Sequence, residues 1–217
     1  MSNTTPNEAL TALKDGNARF LAGNYKSYNS SLTPLTAGQS PYAAILSCAD
    51  SCVPPEILFN AGFGDIFVVR VAGNIAASSQ VGSLEFAVTN LNVPLIVVMG
   101  HTQCGIIEAA INNQKFEGDL GKVVNSLKKA GKLAAGKDIN TVTKQVTLLS
   151  KEELLKSPVI HKAVTSGKIK VVTAICNIAS GTVEFFNEEE AVPTLSPEIL
   201  EQRLAAIEAE TAELRKE

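Results

Sequence analysis

The sequence predicts an α/β fold in which helices flank a mainly parallel central β-sheet. Short apolar runs at residues 65–71 and 94–99 are rich in β-branched residues, which is typical of strands buried on both faces. Between them, residues 79–91 repeat their apolar side chains with the period of a helix. Strands that alternate with helices favour parallel neighbours joined by right-handed crossovers.

Length and composition favour a single domain. A chain of 217 residues can bury one sizeable core, and its 45% hydrophobic and 19% charged residues are ordinary for a folded protein. Because tryptophan is absent, the core is expected to be aliphatic. We expect one domain with an N-terminal helical arm and loop over residues 1–40, an α/β core over 41–190 and a C-terminal helix over 195–217.

The same composition argues against several classes of partner. A net charge of −3, with no basic patch, argues against binding to nucleic acid. No run of about 18 apolar residues is present, so no membrane-spanning segment is expected. The first residues do not combine a basic start with an apolar run, which argues against a signal peptide and predicts a cytoplasmic location. In that compartment the four cysteines are expected to be thiols, metal ligands or core residues.

The other elements are predicted from local patterns. Thr5, Pro6 and Glu8 predict a helix that opens with a capping box. Further strands and helices are predicted at residues 42–46, 54–60 and 168–174, and mostly helical structure at 113–165. After Ser196-Pro197 an apolar stripe predicts a helix that packs either on the chain's own sheet or on a partner subunit. The stripe consists of Leu200, Leu204, Ile207 and Leu214.

Four side chains with metal-binding chemistry follow two of the predicted strands. Cys48 and Asp50 come just beyond the first strand, and His101 and Cys104 come just beyond the third. Ligands gather at the carboxyl ends of strands in open α/β sheets, so two parallel neighbours would bring these groups together. Taken singly, each fragment is also compatible with a core cysteine or an isolated histidine. Together they favour a metal site.

Zinc is the metal that fits this set best. It accepts sulfur and nitrogen donors in a tetrahedron, and the short spacing of His101 and Cys104 lets one turn supply two ligands. Three protein ligands leave a fourth position open for water, which becomes more acidic there. Two thiolates and a neutral histidine cancel the charge of the ion, so we expect weaker acidification than with three histidines and an activity that favours alkaline pH.

Several segments occur together in one order and identify a family. They are GNARF at 16–20, CADSC followed by VPPE at 48–56, GDIFVVRVAGN at 64–74, GSLEFA at 82–87, GHTQCG at 100–105, GKIKV at 167–171 and GTVEF at 181–185. The chain resembles the bacterial-type β-class carbonic anhydrases in all of them. The resemblance covers most of the chain.

The resemblance implies a fold, a cofactor and a reaction. It implies one Zn²⁺ per subunit, held by Cys48, His101 and Cys104, and a helical arm that lies across a partner in a homodimer or dimer of dimers. The family reaction is the reversible hydration of carbon dioxide to bicarbonate and a proton by zinc-bound hydroxide, with Asp50 accepting a proton. Gly73, Gln103 and Gly105 are expected to line or shape the substrate pocket, with the two glycines allowing close backbone approach.

One position departs from the family pattern. Cys52 stands where the family has an arginine that pairs with the motif's aspartate and holds it off the metal. Without that partner, Asp50 is expected to become a fourth ligand, which would leave a weak, pH-gated or silent enzyme. Alternatively, Arg70 or, less favourably, Arg19 replaces the missing cation. A third outcome is chemistry on a related small electrophile, such as carbonyl sulfide or carbon disulfide.

Other residues have more than one interpretation. Cys52 is either a small thiol that fills space or a reactive or metal-binding thiol. Cys176 is predicted to be a core residue and His161 a surface residue. The inhibitory bicarbonate pocket of some bacterial members uses a tryptophan, so that regulation is not expected here. The runner-up function is a catalytically silent zinc-binding protein with a sensing, structural or partner-binding role.

Overall fold

The computed structural model describes residues 4–26, 32–131 and 138–186. Within these ranges a five-stranded sheet has the order β2-β1-β3-β4-β5. Its strands are β1 Ala43–Ser47, β2 Ile66–Arg70, β3 Leu95–His101, β4 Lys170–Cys176 and β5 Val183–Phe186. The first four strands are parallel, and β5 pairs with β4 in the antiparallel sense. The predicted α/β fold with a mainly parallel sheet is therefore confirmed.

Helices cover both faces of the sheet. They are α1 Pro6–Leu21, α2 Pro55–Leu58, α3 Ser78–Thr89, α4 Gly105–Ile111, α5 Gly118–Gly131, α6 Ile139–Leu155 and α7 Pro158–Thr165, with short 3₁₀ segments at Thr33–Ala37 and Ala72–Asn74. Because alternate side chains of a strand point to opposite faces, Ile45 and Val97 enter one apolar cluster while Leu46 and Val98 enter the other. None of the helices in the described ranges has the length and apolar character needed to cross a bilayer.

The predicted strands lie close to the observed ones, with one instructive difference. The third was expected to end at residue 99, but β3 continues through His101. Gly100 and His101 extend it because they pair with Ile175 and Cys176 of β4, which no local pattern reveals. The C-terminal helix predicted over residues 195–217 lies outside the described residues.

Helix α1 begins as predicted and packs on its own subunit. Thr5 Oγ1 accepts a hydrogen bond from the backbone N–H of Glu8 (3.3 Å), and the Glu8 carboxylate accepts one from the N–H of Thr5 (2.7 Å). Leu10 and Leu13 belong to this chain's own core. The expected arm therefore uses its apolar face within the subunit, and only its outer face is available to a partner.

Asn17 fixes the end of α1 against two distant segments. Its Nδ2 donates to the carbonyls of Leu58 and Gly181 at 3.0 Å each, and its Oδ1 accepts from the N–H of Val183 at 3.0 Å. The side chain is buried, so its amide is satisfied by protein groups. These bonds connect the amino-terminal helix to α2 and to the edge strand β5.

Gly16→Ala is expected to destabilise the protein, because a Cβ at that position would lie 2.0 Å from the carbonyl oxygen of Phe59. Moving that backbone should lower the free energy of unfolding by about 1–3 kcal/mol. The matched control is Gly82→Ala in α3, where a Cβ would meet open space. That change should stabilise the protein by about 0.5–1 kcal/mol through the helical preference of alanine. Urea unfolding measures both, and equal effects would contradict the proposed clash.

Candidate metal centre

The centre forms where two parallel strands end side by side. Cys48 directly follows β1, and His101 is the last residue of β3, which is the hydrogen-bonded neighbour of β1. Cys104 caps the start of α4, three residues further along the chain. The sheet order therefore brings together the three residues that the sequence placed at strand ends, at the edge where α/β folds place their ligands.

The three ligand atoms have the separation expected of one zinc ion. The Sγ atoms of Cys48 and Cys104 are 3.9 Å apart, and these sulfurs and a ring nitrogen of His101 all lie within 4.8 Å of one another. Two sulfurs bound tetrahedrally at about 2.3 Å from zinc would be about 3.8 Å apart. All three side chains are buried. The donor set, its spacing and its burial thus fit zinc.

His101 presents one nitrogen to the centre and uses the other for orientation. Its Nδ1 lies 3.0 Å from the carbonyl oxygen of Thr102, so the neutral ring carries its proton there and donates it to that carbonyl. Its Nε2 is buried and has no hydrogen-bond partner within the described ranges. A buried acceptor left unpaired is costly, and a metal ion would satisfy it.

The buried sulfurs of Cys48 and Cys104 affect each other's ionisation. The two sulfurs are within hydrogen-bond distance, and the N–H groups of Asp50 and Gly73 donate to Cys48 Sγ at 3.4 Å each. Chiefly through the Cys104 hydrogen bond, the pKa of Cys48 falls well below its usual range. The same bond, helped by burial, raises the pKa of Cys104. A divalent cation would stabilise the negative charge on each sulfur and hold both as thiolates.

Asp50 finds its hydrogen-bond donors in the residue that replaces the family arginine. The thiol of Cys52 donates to the carboxylate, and the Cys52 N–H donates to Oδ1 at 3.2 Å. These two bonds are the main causes that lower the pKa of Asp50. Neutral donors of Cys52 thus take the place of a cation beside Asp50. A carboxylate oxygen of Asp50, Sγ of Cys52 and a nitrogen of His101 also lie within 4.8 Å of one another.

The cations proposed to replace the arginine have other roles. Arg70 donates from Nε to the carbonyl of Cys48 at 3.0 Å and from a terminal nitrogen to the carbonyl of Asp50. It thus holds the backbone of the loop, whereas its charge is only a minor cause of the lowered pKa of the Asp50 carboxylate. The charge of Arg19 acts on Tyr42, where it partly offsets the rise in pKa that burial causes. Tyr42 lies at the amino end of β1, opposite the metal centre.

The three expected pocket residues differ in their surroundings. Gly73 is buried, has φ of 73°, and would place a Cβ 3.0 Å from the side chain of Leu127, so glycine is required beside Cys48. Gln103 is exposed with φ of 57°, and its N–H donates to Oδ1 of Asn140 at 3.4 Å. Gly105 opens α4, but a Cβ there would meet nothing within 4 Å, so no close backbone approach requires it.

Some features of the site were not anticipated. The carbonyl of Thr102 orients His101, and the backbone N–H groups of α4 near Cys104 face its sulfur. Neither feature has a side-chain signature in the sequence. Cys176 is buried, as expected of a core residue, and lies across from His101 in the β3–β4 register. His161 is partly buried, with a buried Nδ1, and it lies in α7 outside both ligand clusters.

Comparisons with known proteins agree with the fold and with the motifs. The family model for carbonic anhydrase matches residues 43–183. Carbonic anhydrase 2 of Mycobacterium tuberculosis is 53% identical over 114 residues, which cover 51% of this chain and 55% of that protein. The match thus spans about half the length of that relative.

Solved structures extend the likeness over more of the chain. A β-carbonic anhydrase of Aspergillus fumigatus has a TM-score of 0.65 and 26% identity, covering 92% of this chain and 97% of that one. One of two tetrameric β-carbonic anhydrases of Sordaria macrospora has a TM-score of 0.64 and 26% identity, covering 83% and 98%. With the family model and the Cys–His–Cys geometry, these matches show that the chain belongs to the β-class carbonic anhydrase family.

Proposed function

We propose that this protein catalyses the reversible hydration of carbon dioxide to bicarbonate and a proton, with one Zn²⁺ held by Cys48, His101 and Cys104. The observation that carries the proposal is the set of three buried residues with ligand atoms within 4.8 Å of one another, together with the unpartnered Nε2 of His101. The family to which the chain belongs, and the names of its relatives, support this reaction.

Zinc supplies a Lewis acid that makes water at its open position acidic near neutral pH. The protein's contribution is to receive and pass on the proton. Asp50 lies beside the centre, and the hydrogen bonds that lower the pKa of its carboxyl favour the carboxylate form, which is the form that can accept a proton. The two donors of Cys52 occupy part of its carboxylate and aim it.

The walls of the site suit a small apolar substrate. Gly73 lies against the aliphatic side chains of Leu127 and Ile106, which are close to the position of its missing Cβ. Carbon dioxide has no net dipole and needs an apolar surface more than hydrogen bonds. We place it near Gly73, with Gln103 at the exposed rim. Arg70 keeps the loop that carries Asp50 in place by binding its carbonyls.

The proposed assembly is a homodimer or a dimer of dimers. The two β-carbonic anhydrases of Sordaria macrospora are tetrameric. Ile57, Phe63 and Phe86 are large apolar side chains that this chain leaves about half exposed, and a second subunit would cover such groups. All four cysteines are free thiols, which supports a reducing compartment such as the cytoplasm.

A second candidate is a silent zinc-binding protein in which Asp50 fills the fourth position. The observation in its favour is that a carboxylate oxygen of Asp50 lies within 4.8 Å of a nitrogen of His101. In that form no position remains for water, and the protein would serve a structural, sensing or partner-binding role. Carbonyl sulfide and carbon disulfide are alternative substrates for an open site that does not act on carbon dioxide.

Stopped-flow hydration of carbon dioxide by zinc-replete protein tests the proposal. We expect a rate that rises with pH across the neutral range, because two thiolates reduce the acidifying power of the ion. The pKa of Asp50 is too low to limit the rate there. A profile that is flat and maximal at pH 6 would contradict the expected effect of the two thiolates on the acidity of the bound water. Zinc-replete protein that does not hydrate carbon dioxide would favour the silent candidate. If the same protein hydrolysed carbonyl sulfide or carbon disulfide, the alternative substrates would be favoured instead.

A further inference from the structure

We propose that Cys52 is a fourth protein ligand, which closes the metal centre reversibly into a Cys₃His site. The inference rests on the zinc centre of the proposed function but goes beyond it, because it assigns a role to the residue that replaces the family arginine. It concerns what occupies the fourth position when no substrate is being turned over.

The spacing of the four residues is that of a closed zinc site. Cys48 and Cys52 are separated by three residues, and His101 and Cys104 by two. Closed zinc sites are commonly built from two such short-spaced pairs, and Cys₃His is one of their usual ligand sets. The chain therefore carries a complete set of four ligands, two from the loop after β1 and two from the turn after β3.

The geometry brings the fourth sulfur within reach. Sγ of Cys52 lies within 4.8 Å of a nitrogen of His101, the same residue that belongs to the cluster of Cys48 and Cys104. Two ligands of one tetrahedral zinc lie about 3.5 Å apart, so Cys52 Sγ has to move toward the other two sulfurs to complete the set. Cys52 is exposed, so a change of rotamer can supply that movement without disturbing the core.

The buried imidazole gives this cluster a second and independent indication of a ligand. His101 is 1% exposed, and its Nε2 lacks a hydrogen-bond partner in the described part of the chain. Cys52 and Asp50 both have a ligand atom within 4.8 Å of a nitrogen of His101, so either could supply the fourth ligand. Zinc with two thiolates is a soft centre, so sulfur is favoured over oxygen.

Closure would exchange one ligand for another. The Cys52 S–H bond would break and release its proton to solvent, and the sulfur would replace water at the fourth position. The reverse step returns the proton to Cys52 and reopens the position. Neither direction requires an oxidant or a reductant. The closed form has no place for water and is inactive.

Cobalt substitution counts the thiolates directly, because the near-ultraviolet thiolate-to-cobalt absorption grows with their number. Metal-free protein is titrated with Co²⁺ for the wild type, Cys52→Ser and Cys176→Ala. We expect the absorption per bound cobalt to fall by about one third in Cys52→Ser, as three thiolates become two. It should be unchanged in Cys176→Ala, which removes a buried thiol outside the two ligand clusters.

The outcomes separate this inference from the proposed function. Equal absorption in the wild type and in Cys52→Ser would overturn the inference, while the proposed carbon dioxide hydration would stand. No thiolate absorption in any variant would overturn the zinc centre and the proposed function with it. Chelator competition gives a second measurement, because loss of a fourth ligand should weaken cobalt binding by at least about tenfold in Cys52→Ser.

Discussion

Replacing Cys52 by arginine is expected to raise the rate of carbon dioxide hydration by about 10- to 100-fold. A guanidinium is a permanent cation with a planar set of donors, so it would bind the Asp50 carboxylate more strongly than a thiol and an amide do. It would also remove the thiol from the neighbourhood of the metal. Because Cys52 is exposed, the longer side chain can be accommodated without displacing core residues. Stopped-flow hydration with zinc-replete protein measures the change.

Two further variants identify the cause of the gain. Cys52→Ser removes the sulfur but keeps a donor for Asp50, so it should recover only the part of the activity lost to closure by the thiolate. Combining Cys52→Arg with Asp50→Asn should remove the gain in hydration rate that comes from the ion pair, because the amide of the Asn side chain carries no charge. If the arginine variant were as slow as the wild type at equal zinc content, the explanation based on Asp50 would be wrong.

Replacing His101 by alanine is expected to lower zinc affinity by at least about 100-fold and to abolish hydration of carbon dioxide. This residue supplies the only nitrogen ligand of the Cys48–His101–Cys104 set, and its other nitrogen is held by the carbonyl of Thr102. Titration of metal-free protein with zinc in the presence of a competing chelator gives the affinity. Circular dichroism at the same temperature establishes that the variant is folded.

The matched control is His161→Ala. His161 is the second of the chain's two histidines, and it lies in α7 outside both ligand clusters. We expect its loss to leave zinc affinity unchanged. Equal zinc affinity in the wild type and in His101→Ala would mean that the ion binds elsewhere, whereas a parallel loss in both variants would point to a general effect of unfolding.

The ligand set was predictable because it depends on few structural facts. Residues that follow neighbouring parallel strands must meet at one edge of the sheet, and the apolar runs locate those strands to within two residues. The capping box of α1 was predictable for a similar reason, since Thr5 and Glu8 interact over a single turn. Such short-range or topological relations can be derived from sequence patterns.

The arrangement of the loops was not predictable in the same way. Arg70 was one candidate to replace the missing cation beside the Asp50 carboxylate, but its hydrogen bonds go to backbone carbonyls. Which oxygen it meets depends on the turn after Cys48, where the N–H of Cys52 folds back to Asp50. The positive φ of Gln103 likewise sets the direction of the His–Cys turn. Contacts of this kind depend on three-dimensional geometry that residue types alone do not specify.

Zinc-edge X-ray absorption of the purified wild-type protein tests the central claim most directly. The centre formed by Cys48, His101 and Cys104 predicts one zinc per subunit, with at least two sulfur neighbours at about 2.3 Å and imidazole nitrogen at about 2.0 Å. A third sulfur would identify Cys52 as the additional ligand. Zinc surrounded only by oxygen and nitrogen, or protein that binds no zinc when it is supplied, would contradict the account.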